Sequence, residues 1–175
     1  KNLGVLFGSW DRNTNRAGAF VFTSSRDKVF LEYGVEVASS AGGTKILPTF
    51  EYYTATDADV FAAVDGEVVT VNFQSQNQDY YIHIQPDGAS QWTLEHDHVI
   101  NPKVSKGSRV KAGDVLGKVG TMGNDLGRTE IMLWTSSGGG RPLTYCPTKF
   151  FDAQLRFSLE QKVRQHMKDW EEFKG

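Results

Sequence analysis

From about residue 19 to 136 the apolar residues come in short runs with a two-residue period, broken by glycine, asparagine and aspartate. That is the pattern of strands that bury one face and are joined by turns. It predicts strands at KVFLEYGVEV (28–37), TFEYY (49–53), DVFAAV (59–64), GEVVTVNF (66–73), DYYIHIQ (79–85) and SQWTLEHDHV (90–99), with more short ones following. Asp65-Gly66, Pro86-Asp87-Gly88 and Ala112-Gly113-Asp114 mark turns in which glycine supplies a positive φ. Many short strands at this spacing indicate a mainly β barrel or sandwich. The period changes in the tail, residues 152–174, where Leu155, Leu159, Val163, Met167, Trp170 and Phe173 recur every three or four positions. This predicts one amphipathic helix docked on the sheet by its stripe, with His166 on its surface. Between sheet and helix, TSSGGGRPLTYCPT (135–148) has the composition of a loop. The expected organisation is an N-terminal extension (1–27), a β core (28–150) and a C-terminal helix packed on it (151–175).

Composition narrows the function more than the fold. The chain has 175 residues, and 19 lysines and arginines against 21 aspartates and glutamates leave a formal charge of −2. No broad positive field is available for a phosphate backbone, which argues against nucleic acid as partner. No apolar run approaches the roughly 20 residues of a transmembrane helix. The single cysteine, Cys146, excludes an intrachain disulfide framework and a multi-cysteine zinc knuckle, and reads as a small buried hydrophobe.

Two segments stand out: VFAAVDGEV (60–68) and VSKGSRVKAGDVLGKVG (104–120), in which valines flank glycine turns so that tight hairpins feed one core. Together with QPDG (85–88) and LEHDHV (94–99), in this order over about residues 45–135, they resemble the lysostaphin-type, LytM-like zinc endopeptidases that cut peptidoglycan cross-bridges. The resemblance implies a barrel-sandwich hybrid, a duplicated hybrid motif, closed here by the C-terminal amphipathic helix.

The same resemblance implies a zinc held by the histidine and aspartate of an H-x-x-x-D motif and by the second histidine of H-x-H, with an open position for water. Those positions fall on Leu47 and Glu51 (LPTFE), or in a second register on Glu32 and Glu36, and downstream on Thr129 and Ile131. Shifting the downstream segment brings Asp125, Arg128 or Glu130 there, and an arginine repels a cation. The family's further histidine, on its Y-x-H-L strand, matches His98; His96 faces the same side if the strand continues. The resemblance therefore implies a catalytically degenerate member with no catalytic residue and no cofactor. It would serve as an extracytoplasmic module, periplasmic, secreted or lipid-anchored, that binds peptidoglycan or regulates envelope proteins. Its groove would be lined by Tyr52, Tyr53, His83, Trp92, His96, His98, Thr129 and Ile131.

The rival is an active metal-dependent hydrolase, endopeptidase or amidase, with a metal site rebuilt from Glu32, Glu36, Glu51, His96, His98 and Glu130, zinc being its cofactor. Other readings have less support. A biotinyl or lipoyl carrier needs a lysine at a hairpin tip, and YIHIQPDG only faintly echoes a sugar phosphotransferase histidine. Ser136 and Ser137 lack a Gly-x-Ser-x-Gly elbow. A structural piece docking through its helix is a third class.

Overall fold

The computed structural model describes residues 1–39, 42–123, 125–136 and 142–175. The chain starts with β1 (Phe7–Asp11), β2 (Arg16–Gly18) and β3 (Phe20–Val21). It continues through β4 (Phe30–Leu31), β5 (Glu36–Ala38), β6 (Thr44–Ile46), β7 (Phe50–Ala55) and β8 (Asp59–Phe61). The long hairpin strands β9 (Gly66–Gln74), β10 (Asp79–Pro86) and β11 (Trp92–Ile100) follow. The sheet is completed by β12 (Arg109–Val110), β13 (Val115–Met122), β14 (Leu126–Ser136) and β15 (Pro142–Tyr145), before the helix α1 (Arg156–Lys174). The main sheet has thirteen strands on the path β1-β2-β3-β7-β14-β13-β11-β10-β9-β12; β15 pairs with β14, β4 with β7, β8 with β13, and β14 also pairs with β11. All these pairs are antiparallel, and the path keeps free ends instead of closing into a barrel. Residues 1–27 supply its first three strands, and β5 pairs with β6 in a separate two-stranded ribbon.

The two-residue period places the strands well, and in β10 Ile82 and Ile84 are fully buried between the half-buried Tyr81 and His83. The single strand expected over 28–37 is instead β4 and β5, separated by a turn in which Gly34 has φ +88°. Gly113 takes the positive φ its turn requires (+100°), but Gly66 does not. Gly66 sits at the start of β9, where a Cβ would collide with the Gln85 carbonyl oxygen of the paired strand, so close backbone approach excludes a side chain there.

The helix is shorter than its pattern and buries a shifted stripe. Leu159, Val163, His166 and Trp170 are buried, whereas Leu155 is exposed. His166, expected on the surface, is 2% exposed because the spacing 159, 163, 166, 170 brings it onto the docked face. There it lies 4.1 Å from the Phe20 ring and 5.1 Å from Phe7, centroid to centroid. Cys146 is only half-buried, its Sγ 3.2 Å from Thr148 Oγ1. Ser137 and glycines 138–140 lie outside the described residues, and β15 occupies part of the stretch expected as loop.

Candidate functional site

Strands β7, β14 and β11 lie side by side, with Glu51 opposite Glu130 and Glu130 opposite Asp97. Directly opposed residues share a face, so three carboxylates form one row across three strands, an arrangement that repels itself unless cations intervene. Glu51 and Glu130 are buried, at 4% and 8% exposure. The cation is Arg128, two residues along β14 and opposite Tyr53. Its Nε is 2.7 Å from Glu51 Oε1, and a terminal guanidinium nitrogen pairs with Glu130 Oε1. The Tyr53 hydroxyl donates to Glu51 Oε1 at 2.6 Å, and burial together with that carboxylate pushes its pKa up to about 12. The Arg26 guanidinium covers the Tyr53 ring at 3.5 Å. A cleft of about 700 Å³ lies over this floor, with Arg26, Leu31, Glu51, Tyr53, Met122 and Arg128 among its walls.

The second half of the site is centred on His98. Its φ of +55° breaks the strand alternation, so that Val99 enters the core and the imidazole turns to the carboxylate face. His98 Nδ1 donates to Asp79 Oδ2 at 2.6 Å, while Nε2 faces Glu130 Oε1 at 3.6 Å and Asp97 Oδ2 at 3.7 Å. The Gln74 side-chain amide donates to Asp79 Oδ1 at 3.0 Å and to Asp97 Oδ1 at 2.6 Å, which ties the two acids together. Burial disfavours charge on His98, yet Glu130, Asp97 and Asp79 outweigh it and hold the imidazole above its usual 6.5. Burial likewise opposes ionisation of Glu130, and His98 and Arg128 reverse the sign, so its carboxyl lies below the usual value. Burial raises Asp97 despite the neighbouring His98.

The residues expected to line one groove are divided between two faces. Tyr53 and His98 are at the carboxylate floor, and His83 is further along the same face, with Nε2 2.7 Å from Glu95 Oε2. Tyr52, His96, Thr129 and Ile131 belong to the other face, all 4% exposed or less, because each alternates with a floor residue and so points into the core. His96 and His98 thus do not share a side; the strand does not continue regularly between them. Trp92 packs against Tyr145 and Phe150 at the far end of β11.

The alternative metal pool does not converge. Glu32 lines a cavity under α1, Glu36 accepts a hydrogen bond from Thr44 in the small ribbon, and His96 is in the core. Glu51, Glu130 and His98 come near one another, with the Arg128 guanidinium between the two glutamates, and Glu36 lines the cleft that Glu51 also lines. Among the described residues, the group whose ligand atoms lie within 4.8 Å of one another is Asp79, Asp97 and His98. Neither aspartate was picked out from sequence. Asp97 was legible as the residue between two histidines, and hence opposite in face to His96; Asp79, at the mouth of a hairpin, carries no such signal.

A profile of peptidase family M23 matches residues 48–137, just over half the chain. The chain belongs to peptidase family M23. Among solved structures it is similar to the antimicrobial peptidase lysostaphin from Staphylococcus simulans, at 13% identity over 93% of this chain and 56% of that one, with a TM-score of 0.56. LytU is similar at 18% identity over 75% of this chain and 92% of its own, TM-score 0.55. A chain of the SpoIIQ-SpoIIIAH pore forming complex matches at 17% over 68% and 72%, TM-score 0.51. The chain spans about half the length of lysostaphin in its solution structure (51%). No curated protein sequence matches significantly.

The M23 fold raises the question of zinc, and the residues do not fit the ligand set the resemblance implied. Leu47 is a core residue at 1% exposure, Thr129 and Ile131 face away from the floor, and Glu51 is held by a guanidinium. A fixed cation between Glu51 and Glu130 repels a second one placed there. The arrangement supplies an acidic floor whose two glutamates share one fixed cation, beside a histidine oriented by Asp79.

Proposed function

We propose that this M23 domain is catalytically degenerate and acts as an extracytoplasmic binding or regulatory module of the cell envelope. The observation that carries the reading is Arg128, which bridges Glu51 and Glu130 where metal donors would be needed. A guanidinium is never deprotonated in a protein, so this counter-charge is permanent. The cleft over it retains walls of mixed character, including Arg26, Leu31 and Tyr53, suited to holding a peptide rather than cutting one. The SpoIIQ-SpoIIIAH pore forming complex contains a chain of similar fold, which supports a role in protein assembly. Lysostaphin, described as an antimicrobial peptidase, supports peptidoglycan or envelope proteins as the partner class and a location outside the cytoplasm. No helix of the described residues is long and apolar enough to cross a membrane.

A second reading, an active hydrolase with a rebuilt metal site, is favoured by one observation: Asp79, Asp97 and His98 bring three ligand atoms within 4.8 Å. Metal stoichiometry by plasma mass spectrometry, on untagged protein dialysed in turn against zinc, manganese and calcium, decides between them. The degenerate reading expects no retained metal and no peptidoglycan cleavage. Near-equimolar metal lost on His98→Ala, together with cleavage activity, establishes the hydrolase and overturns it.

A further inference from the structure

The cleft over the carboxylate floor is built from two parts of the chain. Glu51, Tyr53, Met122 and Arg128 come from the segment matched by the family, and the rest of its lining comes from residues 25–45, ahead of that segment. This second wall is tied down by α1: Trp170 Nε1 donates to the Asp27 carbonyl at 3.2 Å, and Lys174 Nζ donates to the Arg26 carbonyl at 3.2 Å.

Arg26 is held there without an acid. Its guanidinium carbon lies 3.5 Å from the centroid of the Tyr53 ring, which is itself buried and anchored by its hydroxyl on Glu51. Among the described residues the guanidinium has no carboxylate partner and no hydrogen-bond acceptor. Backbone and side chain are both pinned, so the N–H fork is presented half-buried and unused, the geometry that pairs with a carboxylate through two parallel bonds. The other charges of the cleft do not fill this gap. Arg128 is committed to Glu51 and Glu130, and Glu36 accepts from the Thr44 hydroxyl. Arg26, Lys28 and Lys45 remain against Asp27 and Glu36, which leaves an excess of positive charge along the outer wall.

We propose that the cleft binds a peptide by a free carboxylate, which pairs with the Arg26 guanidinium while neighbouring side chains pack on Leu31, Val37 and Met122. The inference rests on the reading of the domain as a binding module and names the chemistry of its ligand. About 700 Å³ is far more than a lone anion fills and lies in the range of sites that hold a molecule the size of a short peptide. A carboxylate suits the cleft better than a phosphate, because each further negative charge brought near the two glutamates of the floor adds repulsion. The carboxylate can belong to a chain terminus or to an acidic side chain, since both present the same pair of oxygens to the fork.

The test titrates the whole chain with acetyl-Leu-Ala-Ala as the free acid, the same peptide as its neutral amide, acetyl-Leu-Glu-Ala amide and inorganic phosphate, by calorimetry and by NMR of the arginine Nε–H groups. At least one acidic peptide should bind saturably, at least about tenfold tighter than the neutral amide, the worth of one charge-assisted hydrogen bond, and should move the Arg26 Nε–H resonance. Whichever acidic peptide does so assigns the carboxylate to a chain terminus or to a side chain. Arg26→Gln should abolish the preference, and Arg26→Lys, which keeps the charge and loses the fork, should restore only part of it. If neither variant folds, the Arg26 resonance of the unmodified chain decides alone. Acidic peptides that bind no tighter than the neutral one, a preference that survives Arg26→Gln, or phosphate binding as tight as the peptide acid overturns the proposal. Metal retention and cleavage are measured without these peptides, so equal affinities in a metal-free chain that cleaves nothing overturn the carboxylate assignment and leave the module reading standing.

Discussion

His96 and His98 are two residues apart on β11 and almost equally buried, at 0% and 7% exposure, yet their surroundings drive them in opposite directions. His96 faces Ile131 and the N-terminal segment, receives one long hydrogen bond from the Ala63 amide at 3.4 Å and has no acid beside it, so burial lowers its pKa to about 3. His98, turned over by its positive φ, meets Asp79, Asp97 and Glu130 and is raised instead. The same three strands therefore present a face that rejects charge and a face that concentrates it. Burial alone does not set the chemistry of a histidine here; which face of β11 it occupies does.

The comparison is broken most severely at Arg128. Arg128→Met leaves Glu51 and Glu130 facing each other, buried and without their cation, and should cost about 3 to 5 kcal/mol in urea unfolding at neutral pH. The loss should shrink in acid, as the carboxylates protonate, and the triple change with Glu51→Gln and Glu130→Gln should recover most of it. A cost under about 1 kcal/mol, the range of an exposed pair, would show that the guanidinium is not what makes the acidic floor tenable.

The sequence made one of these faces much plainer than the other. The hairpin strands, the glycine-spaced segment and the helix were legible because period and turn chemistry are local properties, and Ile82, Ile84 and Leu159 are buried where the pattern puts them. The family resemblance likewise rests on local motifs, and the match over residues 48–137 covers them. The site was only partly legible. Glu51, Glu130 and His98 could each be named as candidates, and Arg128 as a residue that repels a cation, but their association depends on the register of β7, β14 and β11, which no local pattern fixes. The alternation rule also failed at His98, where one positive φ in a non-glycine residue reverses the face. His166 was misplaced for a related reason: a histidine on an amphipathic helix reads as polar until the docking angle decides which stripe is covered.

Acidity sharpens the contrast, at a smaller cost near neutral pH. His96 and His166 have folded values of about 3 and about 4, below the usual 6.5, so the unfolded chain takes up protons that the folded one refuses. Stability should fall as pH drops below about 6.5, by up to about 5 kcal/mol for His96 and about 3 kcal/mol for His166 at the acid end. His98 has the opposite sign. Its raised value gives stability that is fully present below about 6.5 and is lost as pH rises through the folded value. Urea midpoints across this range should show His166→Phe flattening the acid limb, whereas His98→Gln should lose more stability near pH 6 than near pH 9. An acid limb unchanged in His166→Phe would mean that this imidazole accepts a proton in place.

The smallest effect probes how His98 is held on its face. Thr129 points into the core side of β14, and its hydroxyl donates to the Asp97 carbonyl at 2.7 Å, immediately before the residue with positive φ. Valine keeps the shape and removes that bond, so Thr129→Val should cost about 1 kcal/mol. If the bond anchors the positive-φ turn at His98, the imidazole should also lose part of its contact with Asp79 and Glu130, and its NMR titration should move back toward 6.5. Tyr53→Phe is the control, because it removes a hydrogen bond from Glu51, worth about 1.5 to 3 kcal/mol at a carboxylate, without touching β11. A shifted His98 titration only in Thr129→Val would show that the core face sets the geometry of the charged one. An unshifted titration in both would mean that Asp79 and the Asp97 carboxylate, which accepts from the His98 backbone amide at 2.7 Å, hold the turn without help from Thr129.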